Sequence, residues 1–134
     1  MPWTDEAPNA GFTAGKPWLP VPKEHLALAE SLQDQDPASA LNFARTIIGW
    51  RRTLPPLTRG AIVFFDAPEQ ALALRRDLAG HAPVLAVFNV TDQPIAFDWP
   101  EAKGARALSG HGLQGEVVDG KVTLPAYGGW FGQP

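Results

Sequence analysis

Residues 115–124 read GEVVDGKVTL, and this stretch decides the fold class of the chain. Asp119 and Gly120 stand between two short β-prone runs. Both central positions of the favoured two-residue hairpin turn require a positive φ, which Asp-Gly tolerates well. The stretch therefore predicts an antiparallel hairpin whose strands are residues 115–118 and 121–124.

Further short strands are expected on both sides of this hairpin. The run at residues 84–90 is almost entirely apolar, which indicates a central strand, whereas residues 95–99 alternate cleanly. No helical period separates these strands, so we predict an antiparallel β-sandwich domain over residues 57–134. The other expected strands are residues 61–65, 71–76, 105–108 and 129–131.

One long helix is predicted before the strands, from about residue 36 to residue 54. Asp36 is a suitable N-cap, Pro37 suits the first helical position, and Pro55-Pro56 cannot continue the helix. Arg51 lies near the middle of the apolar arc, so we expect it to pair with an acid of a neighbouring domain or, alternatively, to contact ligand. The apolar arc comprises Leu41, Phe43, Ala44, Ile47, Ile48, Trp50 and Leu54.

The first 21 residues, MPWTDEAPNAGFTAGKPWLPV, form an irregular, aromatic-rich segment with no helical or strand period. Such a loop needs a scaffold on both sides, so we expect the chain to be part of something larger. Residues 23–30 have high helix propensity, which favours a helix there.

Composition excludes several classes of protein. The 134 residues, 45% of them hydrophobic and 19% charged, suit one globular domain and are too few for a whole barrel. A net charge of −3 without a basic run gives no reason to expect nucleic acid, and no apolar stretch is long enough for a membrane. Without cysteine, and with three histidines far apart, neither a metal site nor a cofactor is expected. The composition is compatible with the cytoplasm, which is the location we expect.

Three short motifs in the first segment, MPW at 1–3, NAGF at 9–12 and PWLPV at 17–21, occur in an informative order. Together they resemble the loop after the eighth barrel strand of α-glucosidases in glycoside hydrolase family 13. DPASALNFAR at 36–45 resembles the last barrel helix of that family, and LPAYG at 124–128 resembles the end of its small C-terminal sandwich.

The resemblance implies a mostly β fold with two parts. Residues 1–56 would be the remnant of a (β/α)8 catalytic barrel, namely its last loop and last helix. Residues 57–134 would be the C-terminal β-sandwich domain. It also implies that the chain runs extended through residues 23–30, against the helix favoured by propensity.

In function, the resemblance implies a C-terminal fragment of a retaining α-glucosidase acting on α-linked gluco-oligosaccharides. Retaining glycosidases need two carboxylates about 5 Å apart, and in the family these come from earlier strands. We therefore expect no catalytic residue in this chain, an inactive and structural fragment, and two partners: the parent's catalytic barrel and, in the parent, the oligosaccharide. The family loop lines the mouth of the substrate pocket, which places Trp3, Asn9 and Phe12 near the sugar.

Two other interpretations remain open. The chain could be a free-standing carbohydrate-binding module with Trp3, Trp99 or Trp130 as its platform, although packing is favoured for Trp99 and Trp130. It could also be the same region of a sucrose isomerase, a trehalose synthase or an oligo-1,6-glucosidase, since determinants of linkage lie in earlier loops. In addition, Asn89-Val90-Thr91 has the form of a glycosylation acceptor.

Overall fold

The structure is a computed structural model that describes residues 1–6 and 8–134, and it divides into two units, Met1–Thr46 and Ile47–Pro134. The division falls inside the longest helix. The predicted domain boundary between residues 56 and 57 stays a prediction about the parent protein.

Helical segments fill much of the first unit. A turn at Pro8–Gly11 is followed by a 3-10 helix at Lys23–Leu28 and by helix α1 at Glu30–Gln35. The 3-10 helix agrees with the propensity of this segment, and the extended course implied by the resemblance is wrong. Backbone bonds at its two ends run from His25 N–H to Pro22 O at 3.1 Å and from Ala29 N–H to Leu26 O at 3.0 Å.

Helix α2 runs over Ala40–Arg52, so the predicted start at Asp36 is wrong. The Asp36 carboxylate accepts the Ala38 N–H at 2.9 Å and closes a turn before the helix. Ser39 is the N-cap instead, because its Oγ accepts the Asn42 N–H at 3.2 Å. A short helix α3 follows at Pro55–Arg59, where the sequence analysis predicts none. Its two prolines occupy first-turn positions that need no N–H donor.

The second unit contains eight strands in two antiparallel sheets, which confirms the predicted fold class. A five-stranded sheet has the order β1-β2-β3-β8-β5, and a three-stranded sheet has the order β4-β7-β6. The strands are β1 Ala61–Phe65, β2 Ala71–Asp77, β3 Val84–Asn89, β4 Ile95–Asp98, β5 Arg106–Ala107, β6 Glu116–Val118, β7 Lys121–Leu124 and β8 Gly129–Gln133.

The hairpin between β6 and β7 forms as predicted, with Val118 opposite Lys121. Asp119 and Gly120 have φ values of 48° and 82°, the left-handed pair that this turn needs. Gly120 is required for a second reason: a Cβ there would meet Trp99 O at 3.2 Å.

Two hydrophobic cores lie on opposite faces of the five-stranded sheet. The first fills the space between the sheets and contains Ala73, Leu85, Val87, Trp99, Ala102, Val122, Leu124 and Trp130. The second lies on the outer face, where Trp50, Leu54 and other side chains pack against Leu57, Leu74, Val84, Ala86 and Phe131. Strand β3 is therefore buried on both faces, which explains its unbroken apolar run and confirms its central position.

Candidate functional site

The N-terminal loop is closed by its own backbone. The N–H groups of Trp3 and Thr4 both donate to Ala10 O, at 3.0 and 3.3 Å. The backbone passes so close that a Cβ on Gly11, whose φ is +80°, would lie 3.0 Å from Trp3 Cβ. Trp3 is 56% exposed at this closure. The loop therefore presents a large aromatic ring from a fixed backbone position.

Asn9 holds the second half of this loop. Its side-chain amide donates to Thr13 O at 2.9 Å and to Gly15 O at 2.8 Å, so both amide hydrogens are used inside the loop. Its backbone is left-handed, with φ 52°, and its carbonyl accepts the Phe12 N–H at 3.1 Å. The side chain of Asn9 can therefore address a ligand only through its oxygen, and its amide nitrogen fixes the loop that carries Phe12.

An apolar groove of about 430 Å³ lies beside Phe12. Phe12 is 52% exposed and Trp18 is 92% exposed, so both rings are open to an incoming molecule. Aromatic walls of this kind are typical of ligand sites. Trp3 and Asn9 are outside this lining, and Trp18 is a candidate that sequence reasoning missed. The lining residues are Met1, Pro2, Phe12, Thr13, Pro17, Trp18, Leu19, Pro20, Val21, Pro22 and His25.

Several carboxylates of the described residues serve in turns or in surface ion pairs. Asp34 and Glu30 pair with Arg45, and the hydrogen bond to Asp34 raises the pKa of Arg45 above its ordinary value. Asp77 pairs with Arg75 at 2.9 Å. The open hollow beside Thr4 contains two consecutive, exposed carboxylates, Asp5 and Glu6. In the described part of the chain, neither this hollow nor the apolar groove is a closed cavity that holds two facing carboxylates.

His111 is buried in the second core, against Trp50 and Phe131, with ring centroids 5.1 and 5.0 Å away. Its Nδ1 accepts the Leu113 N–H at 3.1 Å, and its Nε2 lies 3.0 Å from Leu108 O. These partners fit the neutral ring with hydrogen on Nε2. Burial lowers the pKa of His111, and the contact with Leu108 O acts in the opposite direction.

A metal site requires several ligands close together. Among residues 1–6 and 8–134, no group of three histidine, aspartate or glutamate side chains is arranged to hold a metal ion. Searched over the same residues, no helix has the length and apolar character needed to cross a bilayer.

The tryptophans of the sandwich are structural. Trp99 is 1% exposed and Trp130 is 3% exposed, and their rings meet edge to face with centroids 6.5 Å apart. A sugar-binding platform built on either of them is therefore wrong. Trp50 donates its indole N–H to Ser109 O at 2.8 Å, which confirms its packing role. Trp3 is the one member of the predicted platform that remains exposed.

The glycosylation motif at Asn89 is buried by the sandwich. The Asn89 amide donates to Gln93 O at 2.6 Å and to Pro125 O at 2.8 Å, and its oxygen accepts from Thr91. The folded chain therefore does not offer this side chain to a modifying enzyme.

Comparison with known proteins finds related proteins and related solved structures. No protein-family model matches the chain. A probable alpha-glucosidase of Rhizobium meliloti (strain 1021) is 34% identical over 131 residues, which are 98% of this chain and 23% of that protein. The probable oligo-1,6-glucosidase 2 of Bacillus subtilis (strain 168) is 30% identical over 111 residues, which are 81% of this chain and 19% of the relative.

Solved structures agree with these relatives. The alpha-glucosyl transfer enzyme XgtA has a TM-score of 0.89 and 37% identity, over 99% of this chain and 24% of that one. The trehalulose synthase MutB from Pseudomonas mesoacidophila MX-45 has a TM-score of 0.79 and 26% identity, over 98% of this chain and 24% of its own. The chain thus spans about a quarter of the length of the proteins that it matches.

Proposed function

Because this chain corresponds to the C-terminal part of α-glucosidases and oligo-1,6-glucosidases of glycoside hydrolase family 13, we propose that it is the structural end of such an enzyme. The parent would cleave α-linked glucose from oligosaccharides with retention of configuration, and the catalytic pair of carboxylates would come from its barrel. The isolated chain would be inactive. A cytoplasmic location stays a prediction.

One observation supports this proposal above the others. The match to the Rhizobium meliloti protein covers 98% of this chain and 23% of that relative, so most of such an enzyme lies outside the matched region. The carboxylates agree with a catalytic pair outside this chain. Glu30 and Asp34 pair with Arg45 at the surface, and Asp77 pairs with Arg75. The chain has a sandwich core of its own, and the acids of its ion pairs lie at the surface.

In the parent, the N-terminal loop would lie at the mouth of the substrate pocket. Trp3 and Phe12 would offer their exposed rings to the sugar, and Trp18 would extend the same apolar surface. Asn9 would act chiefly by holding the loop, since both its amide hydrogens bind backbone carbonyls. The catalytic chemistry would then depend on this chain for the shape of the pocket entrance.

Two experiments test the proposal together. In the first, this chain alone is incubated with 4-nitrophenyl α-D-glucopyranoside, and we expect no turnover above background. In the second, this chain replaces the matched 131 residues of the Rhizobium meliloti relative, and we expect an active chimera. Robust turnover by the isolated chain would overturn the proposal, as would an inactive, well-folded chimera beside an active unmodified relative.

A second candidate function has a specific observation in its favour. The matching solved structures are described as a glucosyl transfer enzyme and a trehalulose synthase, so the parent could transfer glucose as well as hydrolyse. Chromatography of the products that the full-length parent forms from maltose, isomaltose and sucrose separates the two. Monosaccharides alone (glucose, with fructose from sucrose) indicate hydrolysis, whereas a new disaccharide or trisaccharide indicates isomerisation or transfer.

The binding-module interpretation now depends on Trp3. Calorimetry with maltose and isomaltose tests it on the purified chain. Micromolar binding that is lost in Trp3→Ala would favour a module, and the absence of heat would remove it.

A further inference from the structure

Tyr127 is a bulky residue in a backbone conformation that favours glycine. It occupies the third position of the turn between β7 and β8, which is closed by a hydrogen bond from Gly128 N–H to Pro125 O at 2.9 Å. Its φ is 53°, whereas a positive φ at this position of a turn normally selects glycine or asparagine. Because left-handed backbone is strained for a residue with a large side chain, the turn alone does not explain a tyrosine here.

The side chain of Tyr127 does not compensate for this strain by packing, since the residue is 67% exposed. Within residues 1–6 and 8–134, its ring contacts no other aromatic ring and its hydroxyl has no hydrogen-bond partner. The other left-handed residues besides glycine differ, because Asn9 and Asp119 are types that tolerate this backbone and Ala10 is buried. A strained residue that adds no contact to the fold is a candidate for a functional role.

A buried asparagine fixes the turn that carries Tyr127. Asn89 is 3% exposed, and its side-chain amide ties this turn to the loop at residues 90–94. Its backbone N–H donates to Gly128 O at 2.9 Å. The two loops are joined again by the Tyr127 N–H, which donates to Thr91 O at 2.9 Å. The ring therefore projects from a backbone that is already ordered, which lowers the entropic cost of binding a ligand.

Three loops meet at this end of the sandwich, which we call the tyrosine end: residues 66–70, 90–94 and 125–128. The first two are joined by the Val90 N–H, which donates to Gln70 O at 2.9 Å. The three loops contain no lysine or arginine, so they lack the cations that an anionic ligand requires. An open aromatic ring among carboxylates and amides suits a neutral sugar, whose apolar face stacks and whose hydroxyls form hydrogen bonds. The exposed side chains of this kind are Glu69, Gln70, Asp92 and Gln93.

We propose that the tyrosine end binds a glucose unit of an α-linked gluco-oligosaccharide, with the sugar ring stacked on Tyr127. The identity of the sugar rests on the proposed function, in which the parent acts on such oligosaccharides. The site uses none of the residues expected at the pocket mouth, since Trp3 and Phe12 belong to the first unit and Tyr127 to the second. It retains substrate on the parent and takes no part in catalysis. A single ring supports only weak binding, with a Kd of roughly 1 mM.

The chain contains one tyrosine, which gives the test a specific probe. Biosynthetic incorporation of 3-fluorotyrosine yields a single fluorine NMR signal, from position 127. Titration with maltotriose should shift this signal saturably, with a Kd of roughly 1 mM. A signal that stays unchanged at roughly fifty times that concentration would overturn the proposal. A response to choline chloride without a response to maltotriose would assign the ring to a cation and would overturn it as well.

Three variants, followed by the amide NMR shifts of residues 90–93, separate the ring from its backbone. Tyr127→Phe keeps the stacking surface and should bind within roughly fivefold of the original Kd, because at most one hydrogen bond is lost. Tyr127→Gly should abolish binding without lowering the urea midpoint, because glycine relieves the left-handed strain. Asp119→Gly makes the same backbone change at an exposed left-handed residue and should leave the Kd unchanged. A clearly lower midpoint in Tyr127→Gly would give the ring a packing role and contradict the proposal.

Two further comparisons separate this site from the N-terminal loop and from the proposed function. The fluorine shift should persist in Trp3→Ala, and its loss there would assign the sugar to the N-terminal loop and remove the tyrosine end as a site. If the chimera with the Rhizobium meliloti relative is active but the Tyr127 signal does not respond to maltotriose, the site is wrong while the proposed function stands. If the chimera is inactive but the signal responds, the site stands and the function fails.

Discussion

The two units of this chain differ in how far their tryptophans are buried. In Ile47–Pro134, Trp99 and Trp130 are almost completely buried between two sheets. In Met1–Thr46, Trp3 and Trp18 are exposed, and among the described residues of that unit the buried apolar side chains are only Ala10 and Ala29, besides Pro2. The sandwich therefore holds itself together by apolar burial, whereas hydrogen bonds within the chain shape the first unit. These tryptophan rings are structural in one unit and available for contacts in the other.

The largest expected effect comes from exchanging a buried tryptophan for alanine. Trp99→Ala removes a ring that contacts Phe65 and Trp130, and we expect it to lower the free energy of unfolding by about 3–5 kcal/mol. Trp18→Ala is the control, and we expect a change within about 0.5 kcal/mol because Trp18 is exposed. Urea denaturation followed by circular dichroism measures both. Similar losses in the two variants would mean that the first unit also depends on aromatic burial.

The hairpin turn gives the next largest effect. Gly120→Ala must adopt a left-handed φ and brings its Cβ to 3.2 Å from Trp99 O, so we expect a loss of about 1–3 kcal/mol. Gly80→Ala separates the two causes, because Gly80 has φ +79° and no atom within 4 Å of its Cβ position. It should lose about 1 kcal/mol from backbone strain alone. Equal losses in urea would show that the approach to Trp99 contributes nothing.

The sandwich could be predicted from sequence because its signals are local. Asp119-Gly120 specifies its turn by backbone preference, and β3 is apolar throughout because both of its faces are buried. The start of α2 could not be predicted in this way. Asp36 and Ser39 are both good caps, and the choice depends on Ser39 Oγ, which also donates to Gln33 O at 2.7 Å. That contact comes from the folded arrangement of the first unit.

The candidate site could not be predicted fully from sequence either, whereas helix α3 could have been. The prolines of α3 could have been recognised, since the rule that places Pro37 in a first turn applies equally to Pro55 and Pro56. Trp18 could not, because the segment PWLPV has no period from which burial can be inferred. Its exposure depends on which neighbours the fold provides. Sequence reasoning located the strands well and could not say which aromatic rings remain open.

A smaller effect is expected in the first unit at Asn9. Asn9→Asp keeps the shape of the side chain but cannot donate to Thr13 O and Gly15 O. Each such bond contributes about 1 kcal/mol, so we expect amide exchange at residues 12–15 to rise roughly fivefold or more. The global unfolding free energy should hardly change, because the lost bonds lie within the loop itself. Gln35→Glu makes the same change of charge on an exposed residue of α1. Faster exchange at residues 12–15 in this variant as well would indicate a general electrostatic effect.

The smallest expected effect is a pH dependence of the unfolding free energy, which arises in the sandwich unit. Burial lowers the pKa of His111, so the folded state binds fewer protons than the unfolded state, whose histidine titrates near 6.5. The contribution of neutral His111 is therefore complete above about pH 6.5 and is lost as the pH falls through the lower folded pKa. The side chains facing the ring from α2 and β8 are Trp50 and Phe131, which do not titrate.

His111→Gln should flatten the acidic limb of the curve of unfolding free energy against pH, because the substitution removes the titrating group. His81→Gln, at an exposed histidine, should leave the limb in place. Fluorescence gives an independent reading, since a protonated His111 lies against the indole of Trp50 and should quench it at acidic pH. An acidic limb that survives in His111→Gln would assign it to the carboxylates. The buried ring would then be purely a packing element of the second core.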